Sequence, residues 1–323
     1  MPRSTLTRLV LGLTAAALAL GTVACAGAPA ATTAAAATRT VDTIRGPIEI
    51  PADAKRIVAI NFPEAMALLD LGIVPIGLPT YVPKVPAYDA LIATVPRVDA
   101  NNQIDVEKVA ALKPDVIIGS DFAPSSPTQR AGGAIPYDKL SAIAPTVLFE
   151  WKVAGGNWQD EASRTAAAVG RSADMTTLAD GMHRKAAQIR STHADVLGRT
   201  TWDLVSGQPG APWYLYGPAS SHGVVLGEAG IRFGAAAGQK DNFVQQSGEN
   251  FGVLNGTNGL IVSVDASGNN ALAGQAGYDN LAAVKADHTT VTKWFFPAGY
   301  QAANLLLDDL DKALTAYGRN PSS

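Results

Sequence analysis

Short apolar runs bounded by turn residues recur along the chain, and they determine the expected secondary structure. A strand that is buried on both faces of a sheet is apolar throughout rather than alternating. We therefore predict strands at 57–60, 74–78, 116–118 and 146–149 in the first half of the chain, and at 202–205, 260–264 and 291–296 in the second half.

Helical patterns separate these strands. Residues 64–71 and 105–112 have helical apolar spacing, with Asp105 placed to cap the second helix, and 302–314 form an amphipathic helix near the end of the chain. Strands that alternate with helices favour a parallel sheet. The two series of strands predict one such sheet in each half of the chain.

The connection between the two halves is predicted to be helical. Proline is absent from 146 through 208, and proline is the residue that most strongly interrupts helices. A helix at 174–193, with Asp174 as its N-cap, spans roughly 30 Å and is long enough to bridge two lobes. Gly181 weakens this helix, so its bounds stay open.

The N-terminus has the three zones of a secretory signal peptide. Arg3 and Arg8 precede an apolar run at 9–20, which small residues connect to Cys25. A membrane-spanning helix needs about 20 apolar residues, so this run is too short. Cys25 after small residues resembles the lipobox of bacterial lipoproteins. We predict a signal peptide at 1–24, acyl chains such as palmitate on Cys25, and a flexible tether through residue 42.

Composition and charge exclude several classes of function. The chain has 323 residues, 47% of them hydrophobic, and a net charge of −3, which is a length typical of two lobes and a charge unsuited to nucleic acid. Cys25 is the only cysteine, so no disulfide is predicted. The histidines are dispersed at positions 183, 193, 222 and 288, and no phosphate-cradling glycine motif occurs. We predict no metal site, no catalytic residues and no enzymatic activity.

Several segments then carry a resemblance to a known family. They include Leu-Gly-Ile-Val-Pro-Ile-Gly at 71–77, Leu-Lys-Pro-Asp-Val-Ile-Ile at 112–118, Tyr-Asp-Lys-Leu-Ser-Ala-Ile-Ala-Pro-Thr-Val at 137–147 and Leu-Tyr-Gly-Pro at 215–218. With these segments the chain resembles the substrate-binding lipoproteins of iron-siderophore, haem and cobalamin ABC importers, and most of all those that bind ferric siderophores.

The resemblance implies an α/β fold of two Rossmann-like lobes with central sheets, joined by a single long helix, with a ligand cleft between them. The implied divisions are an N-terminal lobe at 43–157, a connecting helical segment at 158–197 and a C-terminal lobe at 198–319. The implied function is the capture of a ferric siderophore outside the cytoplasm and its delivery to an ABC permease in the membrane. The protein is expected to act as a lipid-anchored monomer without a resident cofactor.

On that architecture, residues that follow strand ends face the ligand, because ligands bind outside the carboxyl ends of parallel strands. Aromatic side chains there suit a ferric siderophore, whose organic shell already surrounds the metal. Phe243 occupies such a place in the second half. The residues predicted to bind ligand are Phe62, Tyr81, Lys84, Phe122, Trp151, Trp213, Tyr214, Tyr216 and Trp294.

The resemblance also implies two residues that dock to the permease, Glu64 in the first lobe and Glu228 in the second. The chain departs from many relatives at Tyr214, where those relatives carry an arginine. This departure disfavours a strongly anionic ligand. Strand spacing leaves open which of Trp213, Tyr214 and Tyr216 face the cleft.

Two alternatives remain at this point. The ligand could be haem or a corrinoid, with His222 or a tyrosine as an axial ligand for haem. A lipid-anchored adhesion or scaffold module would instead have no cleft and no saturable binding of a small molecule.

Overall fold

The computed structural model of the chain describes residues 37–100, 103–121, 135–151, 158–208, 210–265 and 267–319. Two β-sheets with flanking helices organise these residues into two lobes. Each of these two sheets has a core of parallel strands, as the alternation of apolar strands and helices predicts, and two further sheets are antiparallel pairs of short strands.

The first lobe has a three-stranded parallel sheet in the order β3-β6-β7. Its strands are almost entirely buried because helices cover the sheet. Asp105 caps α3 by accepting the backbone N–H of Lys108 at 3.1 Å, which confirms the predicted cap. The strands of this lobe are β1 Thr38–Val41, β2 Ile48–Pro51, β3 Ile57–Ala59, β4 Asp99–Ala100, β5 Gln103–Ile104, β6 Val116–Asp121 and β7 Thr146–Glu150; its helices are α1 Phe62–Asp70, α2 Pro86–Ile92, α3 Val106–Ala111 and α4 Tyr137–Ser141.

The helices that follow lead to the second lobe. The long helix α6 packs against α5 and against α8 and α11 of the second lobe. It begins two residues before the predicted helix, and Asp174 lies in its first turn instead of at the N-cap. These helices are α5 Trp158–Ala168, α6 Ser172–Thr192 and α7 Ala194–Arg199.

The second lobe has a five-stranded sheet in the order β10-β9-β8-β11-β12. The strands β8, β11 and β12 are parallel, whereas β9 and β10 are added antiparallel at one edge. The elements are β8 Trp202–Ser206, β9 Trp213–Tyr216, α8 Ser221–Glu228, β10 Phe243–Gln246, β11 Gly259–Ser263, α9 Ala276–Asp279, α10 Ala282–Lys285, β12 Thr289–Thr292 and α11 Tyr300–Arg319, with a 3-10 turn at Phe251–Leu254.

Three predictions about secondary structure are corrected. Residues of the predicted tether form β1, which pairs with β2 and is held by the Arg39 guanidinium donating to the Ala168 carbonyl at 2.9 Å. The apolar segment 74–78 makes only isolated bridges at Gly77 and Leu78. The last strand ends at Thr292, so Trp294 follows the strand instead of belonging to it. The proposed division of the chain at 43, 158 and 198 stays a prediction.

No helix among the described residues is both long and apolar enough to cross a membrane.

Candidate functional site

A cavity of about 350 Å³ lies between the two lobes, next to the carboxyl ends of β7 and β12. Residues of the first lobe and of α5 form one side, and residues of the second lobe form the other. The lining residues are mostly apolar, with a few polar groups among them, as is typical of small-molecule sites. They are Phe62, Pro63, Tyr81, Trp151, Trp158, Glu161, Tyr216, Ser220, Ser221, His222, Asn242, Phe243, Phe296, Pro297 and Ala298.

Three aromatic side chains form the wall of the first lobe. Phe62 begins α1, and its ring makes edge contacts with Tyr81 and Trp151 at centroid distances of 5.2 and 5.8 Å. Trp151 directly follows β7, and its backbone N–H donates to the Asp121 carbonyl at 2.7 Å. This hydrogen bond continues the pairing of β6 with β7 and places the indole at the end of the sheet.

Aromatic residues from three segments form the wall of the second lobe. Tyr216 lies in β9, Phe243 in the edge strand β10, and Phe296 in the segment between β12 and α11. The ring of Tyr216 lies 5.8 Å from that of Phe243 and 5.5 Å from that of Phe296. The hydroxyl groups of Tyr216 and Ser206 are hydrogen-bonded at 3.0 Å, which fixes the orientation of the tyrosine ring.

The exposed aromatic side chains of the described residues are all found at this cavity. They are Tyr81, Phe243 and Phe296, which are 58%, 50% and 43% exposed. Every other aromatic side chain in the described part of the chain is buried or half-buried. Large aromatic rings left in water at one concave place indicate a binding surface.

Glu161, in the first turn of α5, is the carboxylic acid that lines this cavity among the described residues. Its side chain is buried, and burial together with the charge of Glu64 raises its pKa to about 8. Burial also raises the pKa of Glu64 to about 7, against the opposing effects of Ser120 and Arg164. The carboxyl groups of Glu64 in α1 and Glu161 in α5 therefore share a poorly solvated region.

His222 is fully buried at the opposite wall. Its ring contacts Phe295 at a centroid distance of 4.2 Å and Tyr216 at 4.7 Å, and burial lowers its pKa to about 3. The imidazole is therefore neutral at physiological pH. The preceding Ser220 caps α8 by accepting the N–H of Gly223 at 3.0 Å, which places the start of this helix at the cavity.

A second cavity of about 440 Å³ adjoins the first and also includes Phe296. It lies at the carboxyl ends of β8, β11 and β12. Tyr214 and Lys293 line it, and Tyr214 also contacts Phe243 at a ring distance of 5.4 Å. The two cavities together extend along the edge of the second lobe at which β8, β11 and β12 end.

The structure brings together some of the residues predicted to bind ligand. Phe62, Tyr81, Trp151 and Tyr216 line the cavity between the lobes, as does Phe243. Tyr214 lines the adjoining cavity, whereas Tyr216 lines the same cavity as Trp151. Phe122 lies outside the described residues.

Three other predicted residues have different surroundings. Trp213 is fully buried and stacks on Phe251 at 5.0 Å with nearly parallel rings, so its predicted ligand role is contradicted. Trp294 is half-buried and packs against the cores of both lobes, and Lys84 is exposed. Neither of them lines the two cavities described above.

The two residues predicted to dock to the permease, Glu64 and Glu228, differ in how far they are exposed. Glu64 is 0% exposed because α5 packs over α1, so it cannot meet a permease at the surface of this structure. Glu228 ends α8 and is half-buried, with an oxygen 2.7 Å from Nδ1 of His183 on the long helix. Cys25, the predicted lipidation site, lies outside the described residues.

Three large side chains that line the cavity, those of Trp158, Glu161 and Phe296, were not predicted from the sequence, and His222 was named only as a possible haem ligand. Trp158 and Glu161 are one helical turn apart at the start of α5, and this spacing in the sequence indicates that both side chains lie on the same face of the helix. His222 and Phe296 follow no strand directly, so the rule of strand ends does not select them. No group of three or more His, Cys, Asp or Glu side chains in the described part of the chain is arranged to hold a metal ion.

A family model described as "Periplasmic binding protein" matches residues 57–293, well over half of the chain. The chain belongs to the periplasmic binding protein family. Membership confirms the predicted class of protein, a solute receptor without enzymatic activity. It also agrees with a ligand cavity between two lobes.

Relatives and solved structures refine the comparison. The chain is 28% identical to the "Probable siderophore-binding lipoprotein YfiY" of Bacillus subtilis over 297 residues, which cover 85% of this chain and 87% of the relative. A siderophore periplasmic binding protein from the fuscachelin gene cluster of Thermobifida fusca is 26% identical, with a TM-score of 0.71, and the alignment covers 83% of this chain and 98% of that protein.

Staphylococcus aureus SirA, solved with staphyloferrin B, has a TM-score of 0.67 at 21% identity, covering 86% of this chain and 99% of that protein. At this identity the likeness concerns the fold. These structures confirm the predicted fold class of two lobes joined by a long helix.

Proposed function

We propose that this periplasmic binding protein captures a ferric siderophore outside the cytoplasm and delivers it to an ABC permease. The observation that carries the proposal is the grouping of Tyr81, Phe243 and Phe296, the exposed aromatic side chains of the described residues, around one cavity between the lobes. A chelate with a bulky organic shell matches such walls, because flat aromatic rings bury large areas at little cost in side-chain entropy. The siderophore-binding relatives support the same assignment.

The cavity suits a closed chelate better than a bare metal ion. Its described lining has one carboxylic acid, Glu161, and one neutral imidazole, His222, on opposite sides. A site for a free transition metal needs several converging ligands. The iron is accordingly cargo whose ligands come from the siderophore, and the protein contacts the outer shell of the complex.

Fluorescence titration tests this function. Ferric hydroxamates, catecholates and carboxylates are added separately to the protein, and quenching of tryptophan fluorescence is followed to saturation. We expect saturable binding of at least one class at one molecule per chain. Absence of saturation with all three classes contradicts the proposal. Leu91→Ala removes an exposed apolar side chain on α2, away from the cavity lining, and serves as a control that is expected to bind normally.

Haem is the second candidate, and His222 is the residue that would bind its iron. The Nε2 atom of His222 has no hydrogen-bond partner among the described residues. The imidazole is nevertheless 1% exposed and enclosed by Phe295, Phe296 and Tyr216, so axial coordination requires these rings to move. A shifted Soret band that is lost in His222→Ala would favour haem over a ferric siderophore.

We further propose that Cys25 anchors the protein to the outer face of the cell membrane after removal of residues 1–24. The apolar run followed by small residues and a single cysteine supports this, as does the lipoprotein relative. Mass spectrometry of the membrane-bound protein is expected to find an acylated cysteine at the mature N-terminus. Cys25→Ser is expected to release the protein from the membrane or to block processing, and an unmodified mature Cys25 contradicts the proposal.

For delivery, we propose that Glu228 remains the docking residue of the second lobe, and that the protein acts as a monomer. Glu228→Ala is expected to reduce uptake without changing the affinity for the chelate, because Glu228 does not line the cavity. Light scattering after size exclusion tests the monomer. Loss of chelate affinity in Glu228→Ala contradicts the docking role, and a stable dimer contradicts the monomer.

A further inference from the structure

The cavity between the lobes contains a carboxyl group that the aromatic walls do not explain. Glu161 is 6% exposed and lines the cavity, and within the described part of the chain it forms no hydrogen bond or ion pair. A carboxyl group that is mostly removed from water and has no partner is unfavourable, and proteins usually retain such a group for a function.

The surroundings of Glu161 favour a positive partner. Glu64 lies close enough to raise its pKa, whereas Arg164, one turn further along α5, only partly offsets this effect. Arg164 is directed elsewhere: its guanidinium lies over the Phe149 ring at 5.1 Å and donates to the Glu150 carbonyl at 3.4 Å. No lysine or arginine belongs to the described lining of this cavity.

Trp158 supplies a second feature that suits a cation. It lies one helical turn before Glu161 and lines the same cavity, with its ring held by an edge contact to Tyr300 at 4.9 Å. A cation over an aromatic face gains electrostatic attraction, and the gain is larger in a site that excludes water. Glu161, whose ionised form a bound cation would stabilise, and Trp158 lie on one helix face and line the same cavity, as two sides of a site for an ammonium or guanidinium group would.

We infer that Glu161 binds a positively charged group on the outer shell of the ligand, so that the preferred ligand is a ferric chelate bearing a free ammonium or guanidinium group. This inference rests on the proposed function. It adds the charge of the ligand, which neither the fold nor the aromatic walls determine. A purely anionic chelate would offer Glu161 no cation, and its negative charge would oppose the ionisation of Glu161 and Glu64, so such a ligand would lack this interaction.

The test uses three matched pairs of ferric chelates: a trihydroxamate, a tris-catecholate and a carboxylate, each carrying either a free primary amine or the same amine acetylated. Acetylation removes the charge and leaves the iron-binding groups intact. Fluorescence titration at pH 7.5 is expected to show about 10-fold tighter binding of the amine form in the pair that binds best. In Glu161→Gln this preference is expected to fall below about 3-fold.

Glu107→Gln, the same substitution at an exposed site on α3, is the matched control and is expected to keep the full preference. Equal affinity for both members of the bound pair overturns the inference while the proposed function stands. The inference is also overturned, and the proposed function still stands, if Glu161→Gln retains the preference for the amine form. Failure of all six chelates to bind overturns the proposed function as well. The wild-type comparison decides the question even if Glu161→Gln fails to fold.

Discussion

Asp70 of the first lobe accepts the backbone N–H of Tyr300 in the second lobe at 2.5 Å. The same carboxylate accepts the N–H of Gln301 at 3.3 Å and the hydroxyl of Tyr88. The last residue of α1 therefore caps the first turn of α11, and the cap joins the two lobes. Burial raises the pKa of Asp70, while these hydrogen bonds oppose the rise.

Replacing this interlobe cap is expected to destabilise the protein. Asp70→Ala removes a helix cap, worth about 1 kcal/mol, and leaves the hydroxyl of the buried Tyr88 without its acceptor, which costs a further 1–3 kcal/mol approximately. Urea unfolding measures the loss. Asp174→Ala, which removes only an exposed pair with Arg171, is the control and is expected to change stability by less than about 1 kcal/mol. Equal stability of Asp70→Ala and wild type contradicts the importance of the cap.

The lobes are expected to move little when ligand binds. A continuous helix, α6, joins them and packs against α5, α8 and α11, and such a connection bends less readily than extended strands. Small-angle scattering of the unlipidated protein is expected to give a radius of gyration of roughly 19 Å that changes by less than about 1 Å with ligand. A larger decrease would show a hinge that this packing does not predict.

Trp151 is expected to contribute directly to ligand binding. Its half-buried ring lines the cavity and contacts Phe62, so Trp151→Ala removes an aromatic wall without opening the core. We expect the dissociation constant of the bound chelate to rise by about 10-fold or more, with the melting temperature within a few degrees of wild type. Tyr214→Ala is expected to weaken binding less, since Tyr214 lines the adjoining cavity. Normal affinity in Trp151→Ala would exclude this wall from the site.

Trp213 is expected to behave in the opposite way. It is 0% exposed and stacks on Phe251, so Trp213→Ala leaves a large void in the core of the second lobe. Truncation of such a residue costs about 3–5 kcal/mol in the free energy of unfolding. Denaturant unfolding measures the cost, and chelate affinity of the remaining folded protein is expected to stay normal. A loss of affinity at unchanged stability would restore Trp213 to the binding site.

The buried carboxyl groups predict that stability falls as pH rises. The pKa values of Glu64 and Glu161 are raised from 4.5 to about 7 and about 8, so the folded protein retains protons that the unfolded chain has released. Between pH 5 and pH 8 approximately, the folded state binds more protons, and the free energy of unfolding therefore decreases with pH.

Each pKa unit corresponds to about 1.4 kcal/mol, so Glu64 alone accounts for a decrease on the order of 3 kcal/mol. The groups facing these carboxyls are Ser120, Arg164 and Asp160. Urea unfolding at several pH values is expected to show a smaller slope in Glu64→Gln and the full slope in Glu107→Gln. A stability that rises over this pH range contradicts the prediction.

The sequence by itself determined the buried parallel strands of both lobes and several of the helices between them, because apolar runs and turn residues act locally. Runs such as 116–118 can be buried only within a covered sheet, and the Asp105 cap depends on a neighbour three residues away. The position of Trp151 at the cavity also followed from sequence, since a residue directly after a parallel strand lies at the sheet edge where ligands bind.

Only the tertiary structure decided which alternating side chains face the cavity and which helix faces are covered. Period-two spacing allows Trp213 or Tyr216 to enter the core, and contact with Phe251 selects Trp213. Glu64 is buried because α5 packs over α1, a contact between segments some 90 residues apart for which the local pattern of α1 carries no signal. The same packing of α5 on α1 brings Glu161 to the cavity. The strands and helices that carry the site follow from local periodicity, whereas the side chains that meet in it are decided by long-range contacts.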